Sequence, residues 1–128
     1  LLAEFDNYKR RTRDEKKHLN LYSGEGIILS LLPALDDIER IIENSDKSDK
    51  DSIKEAVQLL SSKLVKTLKE KNIESFDSLG ESFNPELHEA LMSEAGEEDD
   101  IIVKEFEKGY KYHDRIIRHA KVVVSKKS

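Results

Sequence analysis

The sequence is most distinctive between residues 83 and 124, where it reads Phe83-Asn84-Pro85-x-x-His88-x-Ala90-Leu91 and, after seventeen further residues, Gly109-Tyr110-x-x-x-Asp114-Arg115-x-Ile117-Arg118-x-Ala120-x-Val122-x-Val124. Toward its end β-branched residues alternate, with the period of two that is typical of a strand. Asn84-Pro85 is typical of a turn, and Gly109 indicates a close backbone approach or an unusual dihedral angle. The stretch therefore predicts a small β domain.

One strand is predicted before this stretch, over residues 73–76, and two within it, over residues 101–106 and 115–124. In the last strand the side chains alternate, so two groups are expected on opposite faces: Ile116, Arg118, Ala120, Val122 and Val124 on one, and Ile117, His119, Lys121 and Val123 on the other. Residues 111–114 are predicted to form a polar turn that joins the last two strands in a hairpin. Residues 125–128 are predicted to be a frayed tail.

Residues 1–32 are predicted to form a long helix, because they are mostly good helix formers without proline. A heptad pattern follows one face: Phe5, Tyr8, Thr12, Glu15, Leu19, Tyr22, Gly26 and Leu29. A helix this polar has little apolar surface to bury by itself, so we expect it to be stabilised by pairing with the same helix of a second copy. Gly24 and Gly26 leave two interpretations open, a break between two helices or a soft point in one. Pro33 predicts a kink or a new helix near Leu32.

Two amphipathic helices are predicted next. The first has an apolar stripe made of Leu31, Leu32, Leu35, Ile38, Ile41 and Ile42. After a polar connector, the second begins at a capping box of Ser52 and Glu55 and ends at Asn72. Its stripe consists of Ile53, Ala56, Val57, Leu60, Leu64 and Leu68. Two single stripes cannot enclose a core, but doubled in a homodimer they form a four-helix bundle.

The predicted fold class is therefore α+β, in three segments. Residues 1–32 form a long dimerisation helix that pairs as a coiled coil, residues 33–72 the helices of the dimeric four-helix bundle, and residues 73–128 a C-terminal all-β domain. The predicted dimer interface consists of Leu19, Tyr22, Leu29, Leu32, Leu35, Ile38, Ile42, Val57, Leu60 and Leu64.

Composition excludes several classes of protein. Charged residues make up 38% of the chain and hydrophobic residues only 37%, which favours an elongated shape or a core completed by a second copy. No apolar run reaches the roughly 18 residues of a membrane span. The chain has no cysteine, so disulfides and thiolate zinc sites are excluded. Its net charge of -5 argues against a generic nucleic-acid binder. Because the chain begins with leucine, we interpret it as a fragment of a longer protein.

No catalytic or metal-binding pattern is present in the sequence. The four histidines form no helical ligand pair: His18, His88, His113 and His119. The acidic run at residues 97–100 lacks the alternating spacing of a calcium loop. No glycine-rich phosphate loop follows a strand, and no nucleophilic triad can be argued from spacing. The sequence therefore predicts neither an enzyme nor a cofactor.

Three features have two interpretations each. A basic cluster is either the solvent face of the long helix or a contact surface for nucleic acid or an acidic protein; it consists of Lys9, Arg10, Arg11, Arg13, Lys16 and Lys17. Arg115 and Arg118 interrupt an apolar strand, so at least one of them either faces a partner or forms an internal salt bridge. Phe106, between two glutamates, is either a core residue or an interface anchor.

The pattern between residues 83 and 124 resembles the C-terminal signature of the GrpE family, the nucleotide-exchange factors of DnaK-class heat-shock chaperones. Two helical motifs resemble the family as well: Phe5-x-x-Tyr8-x-x-Arg11-Thr12 and Leu31-Leu32-Pro33-x-Leu35-Asp36-x-Ile38-x-Arg40. The resemblance thus covers essentially the whole chain. It departs at His119, where the family often has proline, and at the Gly24 and Gly26 pair, which is unusual in a long helix.

The resemblance implies a homodimer with paired long helices, a four-helix bundle and two β wings. One wing would bind the nucleotide-binding domain of the chaperone and open its cleft, so that ADP leaves. It implies no nucleotide binding by the chain itself, no membrane, no nucleic acid, and a cytoplasmic location in a bacterium or else an organellar matrix. A coiled-coil adaptor or a nucleic-acid-associated protein is the alternative.

The resemblance also assigns residues to roles. It places four on the chaperone-binding surface: Phe83, Phe106, Arg115 and Val124. A further set forms the structural signature: Asn84, Pro85, His88, Ala90, Gly109, Tyr110, Asp114, Arg118, Ala120 and Val122. Within this set, Asn84-Pro85 is expected to fix a turn, and His88 and Ala90 to pack the segment that links the bundle to the β domain.

Overall fold

Three helices are followed by six strands in the computed structural model, which describes residues 1–128. The helices are α1 (Leu2–Tyr22), α2 (Glu25–Glu43) and α3 (Lys50–Glu70), with a short 3-10 helix (Ser45–Lys47) before α3. The strands are β1 (Ile73–Phe76), β2 (His88–Gly96), β3 (Ile102–Glu107), β4 (Gly109–Tyr112), β5 (Arg115–Arg118) and β6 (Ala120–Lys127). The predicted α+β class is confirmed. The chain divides into two compact units, a helical unit (Leu1–Leu64) and a β unit (Val65–Ser128).

The junction of α1 and α2 has features of both predicted alternatives, a break between two helices and a soft point in one helix. Ser23 (φ -61°, ψ -26°) and Gly24 (φ -85°, ψ -5°) keep right-handed helical dihedral angles, and the Ile28 N–H donates to the Gly24 carbonyl at 3.0 Å. The helix is interrupted here, but the backbone does not leave the helical region. Further along, α2 continues through Pro33. The predicted start of a new helix near Leu32 is therefore wrong, because one missing N–H removes one hydrogen bond without ending this helix.

The predicted capping box at Ser52 is also wrong. The N-cap is Asp49, whose Oδ1 accepts a hydrogen bond from the Ser52 N–H at 2.7 Å. Hydrogen bonds from Ser52 lower the pKa of Asp49, and the bond from the Ser52 side chain has a larger effect than the bond from its main chain. At the other end Asn72 stops α3 as predicted, since it has a left-handed φ of 64° and its N–H donates to the Lys69 carbonyl at 2.9 Å.

The apolar stripes of the helical unit lie largely uncovered in the single chain. No residue of α1 or α2 is buried, and α3 buries only Leu60. Of the other residues predicted for the dimer interface, Leu64 is half-buried and the rest are exposed. One ion pair links α2 to α3, with Lys63 Nζ 3.2 Å from Asp37 Oδ2. The dimer itself stays a prediction.

The β unit contains two three-stranded sheets. The first has the order β1-β4-β5 and is antiparallel throughout. The second has the order β2-β6-β3, with β2 parallel and β3 antiparallel to the central β6. The buried core consists of Ile102, Ala120, Val122 and Val124, and Phe76 and Phe83 pack against it.

The single strand predicted over residues 115–124 is two strands in different sheets. β5 ends at Arg118 and β6 begins at Ala120, whose N–H donates to the Leu87 carbonyl at 3.0 Å. The predicted alternation of faces fails in β6, where Val122, Val123 and Val124 are all buried. A central strand covered on both sides carries consecutive apolar residues instead.

The predicted hairpin and tail are also corrected. β3 pairs with β6, and residues 109–112 form β4, so the turn at His113 and Asp114 joins β4 to β5. β6 extends to Lys127, and Ser125 is buried there. Its Oγ donates to the Glu98 carbonyl at 2.6 Å and accepts from the Ile101 N–H at 3.3 Å, so residues 125–127 belong to the sheet.

Candidate functional site

Phe106 lies at a β-bulge on β3, an edge strand of its sheet. Glu105 pairs with Val122 and Glu107 pairs with Lys121, so Phe106 is the additional residue between two ladder positions. A bulge bends the strand and re-aims a side chain. The Phe106 ring is 56% exposed, which excludes a core role and leaves the interface interpretation.

The second exposed element is β5, an edge strand of the other sheet. Arg115 is exposed and forms no ion pair, and Ile117 is 52% exposed. Arg118 forms no salt bridge either. Its Nε donates to the Lys108 carbonyl at 3.1 Å, and its guanidinium lies 5.1 Å from the centre of the Tyr110 ring. The predicted internal salt bridge is therefore replaced by a main-chain hydrogen bond and a cation–π contact.

Arg118 links the end of β5 to Lys108, the residue between β3 and β4. Its hydrogen bond to Lys108 brings the end of β5 to the residues that follow β3, two positions beyond Phe106. We define the wing surface as Phe106, Lys108, Arg115, Ile117 and Arg118. It combines an exposed aromatic ring and an exposed isoleucine with two arginines that form no ion pair, and with Lys108, which is paired with Asp77 and Glu105. Aromatic residues and arginine are enriched at protein interfaces, and the two arginines suit an acidic partner.

Ile117 and Lys108 are the residues of this surface that the sequence prediction missed, and Ile117 is the more informative of the two. The prediction of one ten-residue strand with strict alternation assigned Ile117 to one face of that strand and gave no reason to expect its side chain to be exposed. The signal that was available is His119, which separates two short strands of unlike composition. Read as a separate edge strand, Arg115-Ile116-Ile117-Arg118 indicates an exposed surface.

Two residues expected on the contact surface lie elsewhere. Val124 is 5% exposed and belongs to the core. Its expected place on the chaperone-binding surface is therefore wrong, because a buried side chain cannot contact a partner unless the β unit unfolds. Phe83 is half-buried against the same core, and its N–H donates to the Asp100 carbonyl at 2.8 Å. The expected contact set is thus divided: Phe106 and Arg115 are exposed on edge strands, and the other two support the core.

Gly109 allows the close approach that was predicted. A Cβ at this position would overlap the Phe76 ring and come within 2.9 Å of the Ala120 N. Ala120 and Val122 of the signature are also core residues. Three other members are less buried: Tyr110 is half-buried, and Asp114 and Ala90 are exposed.

Asn84 organises the predicted turn with three hydrogen bonds. Its carbonyl accepts from the Leu87 N–H at 2.9 Å and the His88 N–H at 2.8 Å, and its Oδ1 accepts from the Glu86 N–H at 3.0 Å. Pro85 occupies the turn without needing a donor. The turn leads directly into β2, so His88 and Ala90 lie in a strand of the β unit rather than in a linking segment.

The basic cluster of α1 is fully available to solvent. All six of its cations are exposed and none forms an ion pair. One of them, Lys9, lies 4.6 Å from the centre of the Phe5 ring. Both interpretations of the cluster therefore stay open.

The structure brings no three histidine, aspartate or glutamate side chains together in a group that could hold a metal ion. None of the helices is both long and apolar enough to cross a membrane.

Comparison with known proteins gives one consistent result. The family model described as GrpE matches residues 1–126. The chain is 42% identical to Protein GrpE of Carboxydothermus hydrogenoformans over 99% of its own length and 66% of the relative's length. It is 37% identical to Protein GrpE of Bacillus subtilis over 96% of its length and 67% of the relative's. The chain thus spans about two thirds of the length of these relatives. With a match across both the helical unit and the β unit, the chain belongs to the GrpE family.

Proposed function

We propose that this chain is a nucleotide-exchange factor. It binds the nucleotide-binding domain of a DnaK-class chaperone, opens the cleft and accelerates the release of ADP. The observation that carries the proposal is the family match over residues 1–126, and the exposed Phe106 on the wing surface supports it. Binding alone is sufficient for this activity, so the chain needs no catalytic group and no bound nucleotide.

The physical basis of such exchange is thermodynamic linkage. A partner that binds the open cleft more tightly than the closed one must weaken the affinity of the chaperone for nucleotide. The nucleotide must weaken the binding of the partner by the same factor, which for typical couplings is about 5- to 150-fold. The exchange factor leaves when a new nucleotide closes the cleft.

The wing surface is the proposed contact with the chaperone. Exposed aromatic and arginine side chains are the residue types that dominate binding energy at protein interfaces. Phe106 supplies the apolar anchor, and Arg115 supplies a cation that no acid of the same chain neutralises. A partner with an acidic rim around an apolar pocket fits this surface.

A homodimer is the proposed assembly, with the three segments 1–32, 33–72 and 73–128 in the roles of coiled coil, bundle and wing. The exposed apolar stripes support it, because so many uncovered leucines and isoleucines are unfavourable on a free surface. A groove of about 300 Å³ between α2 and α3 supports it too, since Ile41, Ile53 and Leu60 line it. Helices of a second copy would cover both.

The proposed location is the cytoplasm of a bacterium, supported by bacterial relatives such as those of Bacillus subtilis and Staphylococcus carnosus. The proposal includes no nucleic-acid partner.

Release of a fluorescent ADP from a DnaK-class protein, followed by stopped flow, tests the function. The native chain is expected to accelerate release. Phe106→Ala is expected to weaken this effect by about 30-fold or more at subsaturating concentration, the size of a hot-spot loss of about 2 kcal/mol. Met92→Ala is the matched control, because Met92 is similarly exposed but lies on β2, the opposite edge of the same sheet.

Two results would contradict these proposals separately. Release that the native chain does not accelerate would refute the exchange function. Equal losses in the Phe106 and Met92 variants, with unchanged circular dichroism, would refute the wing surface as the contact.

The six exposed cations of α1 favour one alternative, an adaptor or nucleic-acid-associated protein. Binding to DNA or RNA that survives physiological salt and weakens steeply at higher salt would support it.

A further inference from the structure

His88 is a buried titratable side chain that the proposed function does not use. It is 5% exposed and lies between two aromatic rings, 6.2 Å from Phe76 and 5.9 Å from Phe83, centre to centre. It is also the first residue of β2 and pairs with Ala120, the first residue of β6. Its position therefore joins the Asn84 turn to the start of the parallel strand pair.

The hydrogen bond of the imidazole defines its protonation state. The Asn84 N–H donates to His88 Nδ1 at 3.0 Å. A ring nitrogen accepts a hydrogen bond only when it carries no proton, so His88 is neutral with its proton on Nε2. A second proton on Nδ1 would place a ring N–H against the main-chain N–H of Asn84. Protonation of Nδ1 therefore breaks this hydrogen bond of the turn.

We propose that His88 is a proton-sensitive latch of the β unit, which holds the Asn84 turn and the start of β2 while its ring is neutral and releases them when the ring is protonated. This inference concerns the β unit by itself and does not depend on the exchange function.

Charged groups on several elements surround the ring. Burial, the largest effect, lowers the pKa of His88, and His119 between β5 and β6 acts in the same direction. Glu105 on β3, Glu81 in the preceding loop and the main chain of Asn84 raise it, in that order. Asp77 and Lys111 line the same cleft of about 320 Å³ as His88. The net pKa of His88 lies below its ordinary value of 6.5, so burial outweighs the two carboxylates.

The direction of the pH effect follows from this lowered pKa. The unfolded chain binds a proton at His88 near pH 6.5, whereas the folded chain binds it only at a lower pH. Stability from the neutral ring is therefore complete above pH 6.5 and is lost as pH falls from 6.5 toward the pKa of the folded state. Within that window the equilibrium constant for opening rises by at most about tenfold per pH unit, the limit for one proton.

The first bonds to open are those around the turn. The Asn84 carbonyl holds the Leu87 and His88 N–H groups, and the Leu87 carbonyl holds the Ala120 N–H. Loss of the turn therefore removes a bond at the start of β6 as well. Acid is expected to loosen β2 from β6 beginning at His88 and Ala120.

Nuclear magnetic resonance on the full chain tests the latch. Nitrogen shifts of the His88 ring are expected to show the Nε2–H tautomer and a pKa below 6.5. Hydrogen-exchange protection at the His88 and Ala120 amides, corrected for intrinsic rates, is expected to fall as the pH drops below 6.5, by at most about tenfold per pH unit.

Two substitutions sharpen the test. His88→Asn keeps an acceptor oxygen on Cγ, where Nδ1 is attached, but does not titrate, so the pH dependence of protection should disappear. His113→Asn is the control, since His113 is exposed with a φ of 54° that asparagine tolerates, and it should behave like the native chain. A His88 pKa at or above 6.5, or an Nδ1–H tautomer, would overturn the proposal even if the His88 variant did not fold. So would unchanged pH dependence in a folded His88→Asn protein.

Discussion

Two buried serines of the β unit have opposite hydrogen-bonding states. The Ser125 Oγ donates to the Glu98 carbonyl and accepts from the Ile101 N–H, so it ties the 97–100 turn to β6. The Ser78 Oγ is equally buried but has no hydrogen-bond partner. A buried hydroxyl that forms bonds stabilises a fold, whereas one without a partner contributes only its desolvation cost.

Replacing each serine by alanine should therefore have different results. Ser125→Ala leaves a carbonyl and an N–H without their partner and is expected to lower the free energy of unfolding by about 1–3 kcal/mol. Ser78→Ala removes an unsatisfied group and is expected to be neutral or stabilising. Urea unfolding followed by circular dichroism measures both. If both substitutions lowered the free energy of unfolding equally, packing rather than hydrogen bonding would determine the contribution of these two serines to stability.

At this same scale the sequence predicted some residues well and others not. Gly109 was expected to permit a close approach, and it does, because its Cα lies against Phe76 and Ala120. The identity of those neighbours depends on sheet order, which a local pattern does not contain. Val124 was assigned to the contact surface by the family resemblance and not by a pattern in the strand, and the structure buries its side chain.

Among the elements, the junction of α1 and α2 is the one with the weakest local support. Glycine destabilises a helix interior by about 1 kcal/mol relative to alanine. Neither Gly24 nor Gly26 has a positive φ, and a Cβ would meet only the Ile28 Cδ1 at 3.9 Å in the first case and nothing within 4 Å in the second. The backbone therefore tolerates alanine at both positions.

The double substitution Gly24→Ala and Gly26→Ala is accordingly expected to stabilise the helix by about 1 kcal/mol, the contribution of Gly26 inside α2, because Gly24 is the N-cap of α2, where glycine is not unfavourable. Thermal circular dichroism at 222 nm should show the first transition at a higher temperature. Ser23→Ala is a suitable control, because it changes the neighbouring residue without removing a glycine. An unchanged first transition in the double variant would refute the idea of a soft point.

Sequence reasoning was most successful for elements whose signal is local. The apolar periodicity of α2 and α3, the stop at Asn72 and the bounds of β1 all follow from nearby residues. β2 was not anticipated, because its residues after His88 are exposed and show no alternation. Its pairing with β6 joins parts of the chain that are far apart in sequence, and no local pattern reports such a pairing.

For the whole molecule, the proposed dimer would decide the stability of the helical unit. Its residues bury almost nothing within one chain, while the β unit has its own core. Burial of apolar area contributes about 25 cal/mol per Å². A second copy that covers the stripes of α2 and α3 would therefore supply most of the stabilisation of the helices.

The two units should consequently respond differently to dilution. When the protein is diluted, the melting temperature of the helical unit is expected to fall, whereas the melting temperature of the β unit is expected to stay constant. Leu35→Lys in the apolar stripe should shift sedimentation toward the monomer, while Glu39→Lys on the polar face of the same helix should not. A native chain that sediments as a folded monomer at micromolar concentration would contradict the dimer.

The central position of β6 also bears on how the protein is made. β6 follows both of its sheet partners in the chain, so β2 and β3 have no neighbour to pair with while translation proceeds. The helices can form on the nascent chain as they emerge, since their hydrogen bonds are local. The sheet of β2, β3 and β6 must wait until β6 has left the ribosome, which makes its closure a late step of biosynthesis.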